Sequence, residues 1–255
     1  PQGDAPASSS TGVLVRPKVV LSPESRTWQT VGKPEIKVDA VKLVQGKPAF
    51  AADMEKRGLL HAKVLHSPHA HARIRSLDDA AAKKAPGVLA VLTGNDVAAD
   101  KLGDMPCFIP IENVDGSKRA DTPHPILAKD TVRYVGDPVA LVVAETLNQA
   151  KDAAELIEID YEERPASVHT LHSAKPGAPL AWDHVKNNIC FDWQSGDKGA
   201  VEAAFKNAAH ITKVTLWNNR CVVNSLETRG AIADFDAETA PSTIYTGSQG
   251  ASLIH

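Results

Sequence analysis

The chain has few cysteines, no long apolar run, no block of basic residues and no recognisable export leader, and each of these absences removes a class of function. Its three cysteines, Cys107, Cys190 and Cys221, are far apart and form no CxxC pair. This argues against a disulfide framework, an iron–sulfur cluster or a structural zinc, and a reducing compartment fits them best. No apolar run approaches the ~18 residues that a membrane-crossing helix needs. With a formal net charge of −3, a pI near 6.4 and no long Lys/Arg run, nothing advertises a phosphate backbone or an anionic membrane, so a nucleic-acid partner is not expected. The chain begins with Pro1 and shows no charged segment followed by an apolar one, so the expectation is that something upstream was cleaved or lies outside this sequence.

What remains is a 255-residue chain, 43% hydrophobic and 23% charged, long enough for one large domain or two ordinary ones. Residues 1–30 open with PQGDAPASSSTG, too small and polar to offset the entropy of ordering, and read as a linker or N-terminal extension. LLHAKVLHSP reads as a strand entering a turn at Pro68. After it, period-two alternation places His69, His71, Arg73 and Arg75 on one face of a second extended segment. DDAAAKKAPGV reads as a short helix capped by Asp78 or Asp79 and stopped at Pro86-Gly87, followed by the strand VLAVLT. The proline-rich region 94–129 is expected to be a long surface loop. TVRYVGDPVALVVAET predicts two strands joined in a tight hairpin at Gly136-Asp137.

In TLNQAKDAAELIEIDYEERP, Leu147, Ala150, Ala154 and Leu156 form a helical stripe, and the strand IEIDYE follows. Residues 31–165 therefore predict one α+β unit, and 166–195 an extended connection between domains. In the last part, 196–255, Asp197 caps a helix running to about Ala208. Ile211, Val214, Leu216 and Trp217 read as a strand, and RGAIADFD and STIYTGSQG as two more. No internal repeat is visible.

The cluster HSPHAHAR places His66, His69 and His71 within six residues, a density that raises the question of a metal site. Against it, Pro68 bends the path between His66 and the others. Arg73 and Arg75 would set positive charge beside a cation, and no second cluster supplies thiol or carboxylate ligands. The favoured reading is that these rings hold the strand and turn or face solvent, with no metal bound by this chain.

The pieces KVDAVKLVQGKPAFAAD, SPHAHARI, APGVLAVLTGNDV and PILAKDTVRYVGDPVALVVAETLNQAKDAAELIEIDYEERPA, in this order, closely resemble the start of the molybdenum-carrying large chain of the xanthine dehydrogenase and aldehyde oxidase family. The resemblance implies an α/β hammerhead domain followed by the beginning of a molybdopterin-binding α+β domain. It also implies that the histidine run belongs to the hammerhead framework. LWNNRCVVNSLETRGAIADFDAETAPSTIYTGSQG resembles the family segment that opens the cofactor domain, a QR or NNR pair, then MEPR or LET, then a strand ending in STQ. The corresponding residues here are Asn219-Arg220, Leu226-Glu227-Thr228-Arg229 and Gly247-Ser248-Gln249.

By this resemblance Asn219, Arg220, Glu227 and Gln249 are the candidate cofactor-binding residues. In family members an amide near the first position hydrogen-bonds an oxygen ligand of molybdenum, a task suited to an NH2 that donates without adding charge. The spacing to Glu227 alternatively places Cys221 in that register. Other readings stand beside these: Asn219 as a polar strand-end residue, Glu227 and Arg229 as a structural ion pair, and Gln249 as a solvated strand end. The family's glycine-rich loop and its general-base glutamate lie beyond His255, so no catalytic residue is assigned in this chain. The resemblance implies a molybdenum–pyranopterin cofactor shared with the remainder of the chain or with a partner chain. Iron–sulfur clusters of the 2Fe-2S type and often FAD would sit in partner subunits or domains, not here.

The expected role is that of a fragment or separate subunit of a molybdenum hydroxylase acting on an aldehyde, purine or N-heteroaromatic substrate. The chain alone would be inactive, and would be cytoplasmic, or periplasmic after loss of an export signal. The rival expectation is a non-catalytic assembly or binding module reusing the hammerhead fold.

Overall fold

The computed structural model describes residues 30–47, 50–105, 111–218, 221–235 and 242–248. They fall into two compact units, one formed by Glu55–Arg220 and the other by the described residues up to Met54 together with those from Cys221 onward.

The larger unit is built on two three-stranded antiparallel sheets. Strands β1 (His61–His66), β2 (Ala72–Asp78) and β3 (Val88–Thr93) are followed by β4 (Thr131–Val132), β5 (Pro138–Ala144) and β6 (Glu158–Glu163). One sheet has the order β1-β5-β3 and the other β4-β2-β6. Three helices follow this sequence order, α2 (Ala80–Lys84), α3 (Gly94–Ala99) and α4 (Leu147–Glu155), after α1 (Ala40–Val44) in the smaller unit.

Central strand β5 carries the core because its alternate residues serve two faces. Ala140, Val142 and Ala144 pack with Ala150, Ala153 and Ala154 of α4, with Ala82 of α2 and with Val91 of β3. Val139, pointing the other way, packs with Ala72 and Val132 of the second sheet and with Ala128, which precedes β4. The alanine face lets the helix backbone approach the sheet closely. The stripe expected from Leu147 to Leu156 is therefore rotated in the structure: Ala150, Ala153 and Ala154 are buried, while Leu147 and Leu156 are exposed.

The predicted β4–β5 hairpin does not form, because β4 pairs with β2 while β5 pairs with β1 and β3. The turn itself is present. Asp137 N–H donates to Tyr134 O (3.1 Å) and the buried Asp137 carboxylate accepts from Arg133 N–H (2.9 Å). The backbone of Gly136 and Asp137 then bonds Ser67 on both sides, Gly136 N–H to Ser67 O (2.8 Å) and Ser67 N–H to Asp137 O (2.9 Å). A turn signal marks where the chain reverses, and here the strand partners come from elsewhere in the sequence.

Two further differences have local causes. β2 begins at Ala72, so His69 and His71 precede it, and its register slips between Ile74 and Ser76. The slip leaves Arg75 outside the alternation, exposed and paired with Glu162 (3.3 Å). In the region expected to be loop throughout, Thr93 and Asp96 start helix α3, and Gly94 there allows close passage. A Cβ on Gly94 would lie 2.8 Å from Lys129 Cα and 2.9 Å from Ala128 O.

Segment 166–195 holds a helical turn, α5 (Thr170–Ser173), and is pinned to the larger unit. The Arg133 guanidinium stacks over the Trp182 ring at 3.5 Å and donates from Nε to Ala181 O (3.1 Å). Asn188 bonds three backbone groups, accepting from Ala181 N–H and donating to Ser173 O and Pro179 O.

Helix α6 (Lys198–Asn207) starts as expected, with the Asp197 carboxylate accepting from Ala200 N–H (2.9 Å). The strand expected at 211–217 is absent: these described residues carry no regular structure and Leu216 and Trp217 are exposed. In the smaller unit β7 (Ala231–Phe235) and β8 (Ser242–Thr246) pair antiparallel, with Ile232 opposite Tyr245, and β7 lies against the 3-10 turn Ala51–Asp53.

Candidate functional site

The histidine cluster resolves into three separate contacts. His66 Nδ1 donates to Gly136 O (2.8 Å), fixing the end of β1 to the Tyr134–Asp137 turn. Buried His71 donates from Nδ1 to Pro165 O (3.0 Å), and its own carbonyl accepts from Arg164 N–H, which together hold the start of β2 to the end of β6. His69 leans on the Tyr161 ring, with centroids 4.7 Å apart, and lies 3.5 Å from a Glu163 carboxylate oxygen. A carbonyl only accepts, so Nδ1 of both His66 and His71 carries the proton. The rings thus act on three different parts of the frame. Among the described residues no three His, Cys, Asp or Glu side chains converge as a metal site.

Two tyrosines and an arginine near this frame are displaced from their ordinary ionisation by their surroundings. Burial pushes the Tyr161 hydroxyl up, and burial followed by the Asp137 charge does the same to Tyr134. Desolvation draws the half-buried Arg133 guanidinium down. A shallow cleft of about 580 Å³ runs between Asn113–Lys118 and Val185–Asp192, with Cys190 on its wall.

Of the four residues singled out for a cofactor, Asn219, Arg220 and Gln249 lie outside the described residues, as does Cys107. Glu227 is described and is half-buried in an otherwise exposed stretch. The structure brings it to the end of β8: a Cβ on Gly247 would lie 2.9 Å from Glu227 Oε1 and 3.0 Å from its Cδ. Nearby, Thr246 Oγ1 donates to Gly230 O (3.1 Å), tying the start of β7 to the end of β8. Two pieces of the sequence pattern therefore meet in space at Glu227 and Gly247. No ion pair joins Glu227 to Arg229 among the described residues. The participation of Gly247 was not signalled by residue type; only its place in the strand-ending triplet hinted at it.

The donor set in this part of the chain consists of the amides Asn219 and Gln249, the Arg220 guanidinium and the Glu227 carboxylate. By residue type, neutral amides and a guanidinium fit an anionic, phosphate-bearing pterin, and the Glu227 carboxylate occupies the space that a side chain at Gly247 would take.

The two antiparallel sheets and alanine-faced helix of the larger unit, and the two-stranded ribbon of the smaller one, fall within the matches to a known family of cofactor-binding proteins. Residues 45–165 match the family model described as the aldehyde oxidase and xanthine dehydrogenase a/b hammerhead domain, and residues 181–255 match the molybdopterin cofactor-binding domain. The chain belongs to the xanthine dehydrogenase and aldehyde oxidase family.

Similar proteins include the carbon monoxide dehydrogenase large chain of Afipia carboxidovorans, 32% identical over 89% of this chain and 28% of that protein. The nicotine 6-hydroxylase large subunit of Paenarthrobacter nicotinovorans is 33% identical over 82% of this chain and 25% of its own length. Among solved structures, quinoline 2-oxidoreductase from Pseudomonas putida 86 superposes with a TM-score of 0.72 at 32% identity, covering 88% of this chain and 27% of that one. The chain spans about a quarter of the length of these relatives.

Proposed function

We propose that this chain is the hammerhead and first cofactor-binding portion of a molybdenum hydroxylase that oxidises an aldehyde, a purine or an N-heteroaromatic compound with water as the oxygen source. The observation that carries this reading is the succession, in one chain, of a hammerhead match and a molybdopterin-domain match, with Glu227 and Gly247 meeting in the second.

When bound, the molybdenum–pyranopterin supplies the two-electron redox centre at which the substrate carbon is oxidised. In this chain Asn219 and Gln249 would donate uncharged N–H groups toward the cofactor, Arg220 would meet its negative charge, and Glu227 would accept from an N–H donor. No residue of this chain is assigned as general base, and the chain alone would be inactive. Its domains are read as an N-terminal extension over 1–30, the hammerhead over 31–165, a connection over 166–195 and the cofactor segment from 196. Partners would be the remainder of the large chain, with 2Fe-2S and often FAD carried by neighbouring subunits or domains. No described helix is long and apolar enough to cross a membrane. A cytoplasmic location is favoured by the three cysteines, which lie far apart in the sequence and form no CxxC pair.

Native mass spectrometry with metal and pterin analysis, on protein taken untagged from its source, tests this. Co-purification with molybdenum, a pterin and larger chains is the expected result. A lone 27.1 kDa species free of molybdenum would favour the non-catalytic module instead.

A further inference from the structure

The Glu227 carboxylate is half-buried, and among the described residues no hydrogen bond or ion pair engages it. Its three terminal atoms occupy the place of the missing side chain at position 247: Oε1, Cδ and Oε2 lie 2.9, 3.0 and 3.1 Å from where a Cβ would be. Real Cβ atoms do not approach other heavy atoms so closely, so any side chain at 247 would have to push the carboxylate aside. The conflicting atoms are the far end of a flexible side chain, and the displacement would leave the backbone in place. Gly230, across the same hairpin, differs, since nothing lies within 4 Å of the corresponding point.

We propose that Gly247 is a positioning residue: because it carries no side chain, the Glu227 carboxylate seats against the end of β8, engaged by no donor among the described residues and available to an N–H donor of a bound ligand. The choice of ligand rests on the cofactor reading above, whereas the seat does not. A carboxylate accepts two parallel N–H donors well, and the aminopyrimidine edge of a pterin offers them.

Carboxyl-selective labelling read by mass spectrometry, on the full chain with whatever partners accompany it, tests both parts. Gly247→Ala and Gly247→Ser are expected to raise the labelling of Glu227 severalfold, with Asp234 on β7 unchanged and Gly230→Ala without effect. Unchanged Glu227 labelling in both variants would overturn the seat. So would a rise at Asp234 together with faster hydrogen exchange in β7 and β8, since the glycine would then serve the hairpin and not Glu227.

In molybdenum-containing protein, Glu227 is expected to be protected relative to cofactor-stripped protein, and Glu227→Gln to lower pterin retention. Equal labelling in both forms would overturn the ligand assignment. Absence of molybdenum from the unmodified protein would instead sink the cofactor reading, with the Gly247 contrast still deciding the seat.

Discussion

Single residues decide how the frame closes on itself, and Thr93 with Asp96 shows it at the start of α3. Thr93 Oγ1 accepts from Asn95 N–H (3.3 Å) and donates to Asp96 Oδ2 (2.7 Å), and that same carboxylate accepts Thr93 N–H (2.7 Å). Thr93→Ala is expected to cost about 1 kcal/mol in urea melts, the usual worth of such a cap. The Asp96 carboxyl is held below its ordinary range, first by the Thr93 hydroxyl and then by the Thr93 N–H. A depressed carboxyl contributes stability that is complete above its unfolded-state pKa of about 3.9 and is lost as pH falls through its lower folded value. The deficit of Asp96→Asn relative to the unmodified protein should therefore be largest near neutrality and shrink below about pH 4. A deficit independent of pH would contradict this. Residue types told part of this story in advance. The histidines could be read as frame residues because the sequence around them lacked further ligands. The Thr93–Asp96 pair has capping-box spacing, but the prolines downstream drew the whole region into a loop assignment.

At the scale of elements, local signals located strands and helices well, while pairing and facing depended on distant residues. β1, β3, β5 and β6 form where their hydrophobic patterns place them, α4 forms at its expected position, and α6 starts at its Asp cap. The hairpin failed because Ser67, 69 positions before Gly136, competes for the backbone of that turn and no local pattern records it. The stripe on α4 was misplaced because leucines outweigh alanines in a hydrophobic pattern, while the sheet requires small residues for close approach. Ala153, fully buried between α4 and β5, carries a specific expectation. Ala153→Leu should destabilise the larger unit by about 1–3 kcal/mol through overpacking, whereas a leucine already stands without cost at exposed Leu156. Denaturant midpoints of the two sites, comparing Ala153→Leu with Leu156→Ala, would check it. Equal, small effects would mean that the helix has room to move outward.

Across the whole molecule, burial is unevenly shared. The larger unit encloses Val132, Val139 and Val142 completely, whereas in β7 and β8 only Ile232 is buried and Phe235 and Ile244 stay exposed. A two-stranded ribbon with so little apolar cover is marginal in water, because three or more strands with a packed face are ordinarily needed for independent stability. Resemblance made the order of domains readable from the sequence. The second segment was readable only as a pattern, since strand periodicity does not fix where its amides lie. Amide hydrogen exchange on the isolated 255-residue chain should therefore be slow in β1, β3 and β5 and fast in β7 and β8. In an assembly holding molybdenum and larger partner chains, β7 and β8 should slow toward the rates of the hammerhead strands, since exposed Phe235 and Ile244 would gain neighbours. Slow exchange of both strands in the isolated chain would mean that the smaller unit is complete without partners, which favours the self-contained binding module over the hydroxylase portion.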